Sequence, residues 1–170
     1  MGKARDNQLN ALDLLIEQHD EVDLLMKRLE EEELEGQAKM FVFFELADKL
    51  AAHASMEEQI FYPAVRAKQT EEMLLEATEE HLAIKRVLAD MLTTDLDDPR
   101  FDAQLSVLQE EVEHHAREEE EGKLFPKLRN LMTGQELDAL GSEMLALFEQ
   151  LLSTQPRNSV KKQTDKPAEI

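Results

Sequence analysis

Two stretches of the sequence each place a histidine and a glutamate four residues apart and then run through apolar residues to a proline. In one stretch His53 precedes Glu57, and in the other His115 precedes Glu119. Residues four apart point in the same direction on a helix, so each stretch presents an imidazole and a carboxylate from one face. A carboxylate on an apolar helix face is costly unless it is paired or binds a metal ion. The pattern therefore predicts long helices that bring the two stretches together.

Apolar residues recur at three- and four-residue steps through most of the chain, which is the spacing of an amphipathic helix. Four long helices are predicted over about 7–34, 37–67, 70–91 and 99–131. Thr133 and Glu136 have the spacing of a capping box, which opens a shorter fifth helix that extends to about residue 152. Long helices with short connections favour an up-down-up-down four-helix bundle, so the predicted fold class is all-α.

The domain is predicted to cover residues 1–153. From residue 154 onward prolines, lysines and small polar residues replace the apolar stripe. Such a composition buries too little apolar surface to offset the entropy of ordering the chain. Residues 154–170 are therefore predicted to form a disordered tail.

Each of the four long helices carries one histidine on its apolar stripe. A single buried histidine is commonly a core residue, but four of them with two glutamates in register favour a metal site. Imidazole suits zinc, iron, copper and nickel, and two bridging carboxylates with about two imidazoles per ion fit a pair of iron ions best. Zinc and manganese are the alternatives. The predicted ligands are His19, His53, Glu57, His81, His115 and Glu119.

Adjacent histidines at 114 and 115 cannot both face the core of a helical bundle. The helical positions in line with His115 are mostly apolar, whereas those in line with His114 are mostly acidic. His115 is therefore the predicted ligand, and His114 is expected to face solvent or to contact a ligand from outside.

The composition excludes several classes of function. The chain has 38 Asp and Glu against 19 Lys and Arg, a net charge of −19. This charge repels phosphates, so neither nucleic acid nor an anionic membrane is an expected partner. The absence of cysteine excludes disulfides, thiolate zinc sites and iron–sulfur clusters. With no long apolar run and no signal peptide, a cytoplasmic location is expected.

These motifs make the sequence similar to hemerythrin-like proteins of the HHE cation-binding family. The resemblance covers about residues 12–131 and rests on the four histidines, the paired His-x-x-x-Glu and the prolines that follow. It implies a non-haem di-iron centre, bridged by an oxo or hydroxo group, inside a four-helix bundle. Glu57 and Glu119 would be the bridging carboxylates and the inward histidines the terminal ligands.

The sequence departs from the oxygen-carrying hemerythrins in two places. Those proteins have another histidine one turn before the one that matches His81, whereas this chain has Ala77 there. One iron is therefore expected to have an open or water-filled position. The second proline is also one residue further from its glutamate than the first, so Glu120 would replace Glu119 if the helix bulges near Gly122.

The expected function is to bind or reduce a small oxidant such as O2, peroxide or nitric oxide at the di-iron site. The alternative is an iron or oxygen sensor that acts through a protein partner without turnover, and a bundle without metal is the third possibility. Whether the chain is an enzyme stays open at this point. Tyr62 lies near the site and is expected to be a packed side chain, with hydrogen bonding to the site as the less favoured interpretation.

Overall fold

The computed structural model describes residues 9–170, and in this range it is helical with no β-strand. The predicted all-α class is confirmed. The helices in chain order are α1 (Ala11–Leu29), α2 (Gly36–Met56), a π-helical segment (Glu57–Phe61), α3 (Tyr62–Val65), α4 (Glu71–Met91), α5 (Pro99–Glu113), a second π-helical segment (His114–Leu124), α6 (Phe125–Leu131), α7 (Gly134–Leu152) and a 3₁₀ helix (Pro156–Gln163).

Four long helices form the bundle, because each π segment joins the α-helices on either side of it without a break. Helix α1 packs against α2 and α5, and α4 packs against α2 and α5, so the four helices close a ring. Helix α7 packs on the outside of α1 and α2. The four-helix bundle with a fifth helix agrees with the prediction.

Side-chain caps fix where several of these helices begin. Asn10 Oδ1 accepts hydrogen bonds from the backbone N–H groups of Leu12 and Asp13 at the start of α1. Thr133 and Glu136 form the predicted capping box at the start of α7. Capping of this kind satisfies backbone donors that have no partner within the helix.

Two apolar clusters fill the bundle, with a polar layer between them. The lower cluster joins α1, α7 and the segments around α3 and α6, and it includes Leu15, Met56, Ala77 and Phe125. The upper cluster lies at the opposite end of α1, α2, α4 and α5. Each stripe histidine falls between the two clusters along its helix, so the four histidines lie at one level.

The predicted disordered tail is ordered in the structure. The 3₁₀ helix Pro156–Gln163 packs against α2 and α4. Val160 is buried in the upper cluster. The backbone N–H of Arg157 donates to Asp48 Oδ1 at 3.0 Å, its guanidinium pairs with the same carboxylate, and it lies 4.5 Å from the centre of the Phe44 ring. The composition of this segment did not predict its order, because a few single contacts, rather than an apolar stripe, hold it against the bundle.

No helix within residues 9–170 is long and apolar enough to cross a membrane.

Candidate metal centre

The four bundle helices bring six buried side chains into the polar layer. Four are histidines, each of which points its Nε2 atom inward, and two are glutamates. They are His19, His53, Glu57, His81, His115 and Glu120, all buried. Five of the six predicted ligands therefore lie together.

These side chains divide into two groups that share Glu57. In the first group His53 Nε2 lies 3.2 Å from Glu57 Oε2, and His19 Nε2 lies 3.4 Å from Glu120 Oε2. In the second group Glu57 meets His81 and His115. One potential ligand atom from each member of a group lies within 4.8 Å of those of the other members. This spacing allows each group to hold one metal ion.

Glu119 does not lie in the layer, and Glu120 takes the position that the sequence analysis gave to Glu119. Glu120 is 1% exposed, whereas Glu119 is partly exposed and pairs with Lys123 at 2.5 Å. Glu120 Oε2 lies 3.8 Å from His115 Nε2. The prediction for Glu119 is therefore corrected, in favour of the alternative that a bulge in the helix allows.

The π-helical segment His114–Leu124 is the physical reason for this shift. Hydrogen bonds in a π-helix run from residue i to residue i+5, so positions five apart share a face. The N–H of Phe125 accordingly bonds to the carbonyl of Glu120. Pro63 and Pro126 each follow the inward glutamate by six residues, once Glu57 and Glu120 are the pair that is compared.

His115 and His114 have different environments. His115 is buried, with its Nδ1 atom 2.7 Å from Glu80 Oε2. His114 is 46% exposed and lies 3.2 Å from the other oxygen of Glu80. His114 therefore contacts an outer partner of His115 from the surface and does not reach the layer.

The outer Nδ1 atom of every inward histidine faces an oxygen from a neighbouring helix. The distances are 2.7 Å from His19 to Glu121, 2.6 Å from His53 to Gln18, 2.9 Å from His81 to Glu58 and 2.7 Å from His115 to Glu80. When Nδ1 donates its proton to such an acceptor, Nε2 presents a lone pair to the centre of the layer. Histidines that bind metals have this arrangement.

The four outer acceptors are contacts of the inward histidines that sequence reasoning missed. Each is adjacent in sequence to an inward residue, in the pairs Gln18-His19, Glu57-Glu58, Glu80-His81 and Glu120-Glu121. Each acceptor bonds to the histidine of another helix, so the contacts link the four helices of the ring. A polar residue directly beside an inward ligand is the signal that could have found them.

Tyr62 is completely buried and points its hydroxyl group into the layer. It donates a hydrogen bond to Glu120 Oε1 at 2.9 Å, and its oxygen lies 3.2 Å from His81 Nε2 and 3.4 Å from Glu57 Oε2. Burial, followed by the charges of Glu120 and Glu57, raises the pKa of the phenol well above its usual value. The hydrogen-bonding interpretation of Tyr62, which the sequence analysis disfavoured, describes the structure.

The family model for the hemerythrin HHE cation binding domain matches residues 10–128, which include all six side chains of the layer. The chain belongs to this family.

Solved and curated proteins of related sequence agree with the hemerythrin assignment. The crystal structure of a hemerythrin HHE cation binding domain-containing protein from Mycobacterium kansasii, a homolog of Rv2633c, has a TM-score of 0.76 and 26% identity, and the match covers 93% of this chain and 94% of that one. Rv2633c of Mycobacterium tuberculosis is 27% identical over 143 residues, which are 84% of this chain and 88% of that protein.

A third relative is much longer than this chain. A DNA nickase from Nostoc is 28% identical over 138 residues, which are 81% of this chain and 39% of the nickase. The chain thus spans less than half of that protein's length.

The side chains of this hemerythrin-family layer fit a metal ion, because several of their polar atoms have no other partner. His19 Nε2, Glu57 Oε1 and Glu120 Oε2 are buried without a hydrogen bond among the described residues. A buried polar atom without a partner is destabilising. His81 Nε2 and His115 Nε2 lie 3.0 Å apart, and two facing lone pairs repel unless a proton or a cation is present.

The charges in the layer attract cations. Burial by itself lowers the pKa of His115, but the charge of Glu120 and hydrogen bonds to Glu57 and Glu80 outweigh it and raise the pKa to about 10. Burial likewise opposes ionisation of Glu57, yet the charge of His53 and hydrogen bonds from the histidines hold its pKa well below the usual range. Without metal, protons on the histidines balance the carboxylates, and metal ions can replace them.

Proposed function

We propose that this protein holds a non-haem di-iron centre that binds or reduces a small oxidant such as O2, peroxide or nitric oxide. The observation that carries the proposal is the double shell of the layer. Four Nε2 atoms face two buried carboxylates, and all four Nδ1 atoms have oxygen acceptors behind them. This arrangement favours a metal site over a hydrogen-bonded core, because a hydrogen-bonded core would not leave inward atoms without partners.

The ligands divide between two ions. His19 and His53 would hold one ion, and His81 and His115 would hold the other. Glu57 belongs to both groups and would be the first bridging carboxylate. Glu120 Oε2 lies 3.4 Å from His19 Nε2 and 3.8 Å from His115 Nε2, which supports it as the second bridge.

Tyr62 is the candidate for a further protein ligand on the second ion. Its oxygen lies 3.2 Å from His81 Nε2. Tyr62 and Ala77 belong to the same apolar cluster below the layer. The phenol therefore offers an oxygen beside His81, one helical turn after Ala77, which stands where the oxygen-carrying hemerythrins have a histidine. Tyr62 would hold the ion as a phenolate, and its proton would be released on metal binding, as those on the histidines would be.

A small cavity beside the layer limits the size of the ligand. It has a volume of about 30 Å³ and is lined by the four histidines together with Val22, Leu50, Ile84 and Val112. A cavity needs roughly 10–15 Å³ to hold one water molecule, so this space suits a molecule of about two heavy atoms. The apolar lining favours a small neutral ligand over an ion.

When bound, iron would supply the electrons, since each ion has two accessible valences. The protein's own contribution is to hold the four imidazoles in one tautomer, to place two carboxylates in a buried layer and to exclude bulk water with the apolar clusters on either side. Each of these roles belongs to residues that lie within the bundle.

The proposal is tested by loading the purified protein anaerobically with ferrous iron and then measuring iron per chain and the absorption spectrum in air. We expect about two irons per chain and near-ultraviolet absorption that changes on addition of hydrogen peroxide, both lost in Glu57→Ala. His114→Ala is the matched control, because His114 lies outside the layer. Failure of the wild type to bind iron would overturn the proposal.

Activity measurements then separate a catalyst from a sensor. Decomposition of peroxide or consumption of O2 that depends on Glu57 would favour turnover. Tight binding of two irons without turnover would favour the sensing alternative, in which a partner protein responds to the loaded bundle.

A further inference from the structure

The four outer acceptors behind the histidines differ in charge. Gln18, behind His53, is a neutral amide. Glu121, behind His19, shares the oxygen that accepts from His19 with Arg117 Nη1 at 2.7 Å. Arg117 also pairs with Asp20 and Asp23, so it compensates Glu121 in part, and the one uncharged acceptor of the first group is Gln18.

The second group has stronger acceptors. Glu58, behind His81, is held by Lys85 Nζ at 2.7 and 2.8 Å. Glu80, behind His115, has no Lys or Arg partner among residues 9–170, and its only described side-chain partners are His115 and His114. Glu80 is thus the one outer carboxylate of the layer, within the described part of the chain, without a permanent cation against it.

An anionic acceptor on Nδ1 makes the imidazole a better electron donor at Nε2. An ion that receives more electron density is stabilised in its higher valence. The acceptors therefore range from the amide behind His53, through the cation-paired carboxylates behind His19 and His81, to the carboxylate behind His115, which has no Lys or Arg partner within residues 9–170.

We infer that Gln18 and Glu80 make the two ion positions of the layer electronically unequal, so that the ion on His81 and His115 keeps the ferric state while the ion on His19 and His53 is reduced first. The inference rests on the proposed di-iron function. Gln18 and Glu80 are positioning residues in this account, because each acts through the histidine it contacts.

The test is a spectroelectrochemical titration of the iron-loaded protein, in which the electrode supplies two electrons, one to each ion. The difference between the two reduction potentials gives the comproportionation constant, which measures how strongly the state with one reduced ion is favoured. Gln18→Glu should lower the potential of the first step, and Glu80→Gln should raise that of the second. Each is expected to reduce the constant about tenfold, which corresponds to a shift of about 59 mV in the potential of its one-electron step.

Glu79→Gln is the matched control. It removes the same charge as Glu80→Gln from the same helix, but Glu79 is exposed and has no described ion pair or side-chain hydrogen bond within residues 9–170. Its constant should change less than about twofold, because exposed charges are screened. Equal effects of Glu80→Gln and Glu79→Gln would overturn the inference, since net charge alone would then explain the shift.

A variant of opposite sign covers the case in which Glu80→Gln does not fold. Lys85→Gln removes the cation from Glu58 and should enlarge the constant, because His81 then donates to an uncompensated carboxylate. A smaller or unchanged constant in Lys85→Gln would overturn the inference. The iron content of every sample is measured first. A wild-type chain that does not bind two irons contradicts the proposed function. A variant that binds two irons but has unchanged reduction potentials contradicts the inference.

Discussion

His115 and Glu120 lie five residues apart and face the same buried layer, with Nε2 and Oε2 separated by 3.8 Å. His53 and Glu57 lie four apart and meet at 3.2 Å. The difference comes from the helix type, because His114–Leu124 is π-helical from its first residue whereas the helix from His53 to Met56 is α-helical. Helix geometry therefore decides which of the four consecutive glutamates at 118–121 is buried.

Removing the Glu120 carboxylate should abolish iron binding, and removing that of Glu119 should not. Glu120→Ala takes one of the two inward carboxylates, whereas Glu119→Ala takes a carboxylate outside the layer that pairs with Lys123 and His114. We expect two irons per chain in Glu119→Ala and fewer than one in Glu120→Ala, measured by elemental analysis after gel filtration. Circular dichroism of the metal-free variants checks that both remain helical, and equal iron contents would contradict the assignment of Glu120.

Much of the layer could be predicted from the sequence, since the 3.6-residue period locates His19, His53, His81 and Glu57 on apolar faces. The same period fails after His115, where it selects Glu119. The period assumes an α-helix, and a single additional residue per turn changes the face. The equal six-residue distances from Glu57 to Pro63 and from Glu120 to Pro126 indicate Glu120, rather than Glu119, as the inward glutamate.

The C-terminal segment and the outer acceptors could not be predicted in this way. Val160 and Arg157 are isolated anchors in a polar stretch, and the surfaces that receive them exist only after α2 and α4 have packed. Likewise, Glu80 looks like an ordinary solvated glutamate in the sequence. Its role depends on His115 of another helix, a contact that local periodicity does not contain.

Tyr62→Phe should remove the visible absorption of the iron-loaded protein without removing the iron. A phenolate bound to ferric iron gives a charge-transfer band, and the tyrosine oxygen is the one phenol in the chain. The four histidines and two carboxylates remain, so we expect about two irons per chain. Absorption spectra of oxidised wild type and variant at equal iron content make the comparison. A visible band retained in Tyr62→Phe would argue against this ligand.

The metal-free and iron-loaded proteins should respond to pH in opposite ways. Burial lowers the pKa of His19, but hydrogen bonds to Glu120 and Glu121 outweigh it and raise the pKa from 6.5 to about 9. A raised pKa stabilises the folded state fully below the unfolded value and loses this contribution as pH rises through the folded value. The metal-free protein should therefore become less stable from about pH 6.5 to pH 9 or 10.

The lowered pKa of Glu57 determines how the folded protein responds to acid. Ionised Glu57 stabilises the folded state above pH 4.5, and this stabilisation is lost as the pH falls through the pKa of Glu57 in the folded protein. Iron requires deprotonated histidines, so its affinity and its stabilising effect should increase as pH rises. Urea unfolding at pH 6 and pH 9, with a chelator or with iron, measures both slopes. A metal-free protein that is more stable at pH 9 than at pH 6 would contradict this account of the layer.

Gly141→Ala should destabilise the bundle, because α7 crosses the start of α1 at that residue. A Cβ atom on Gly141 would lie 2.7 Å from backbone atoms of Leu9, Asn10 and Ala11. Backbone atoms cannot move aside as a flexible side chain does, so α7 must shift, at a cost typical of overpacking, about 1–3 kcal/mol. Gly134→Ala is the control, since nothing lies within 4 Å of its added Cβ. Urea unfolding of the metal-free proteins gives the free energies, and Gly141→Ala as stable as Gly134→Ala would show that α7 does not pack this closely on α1.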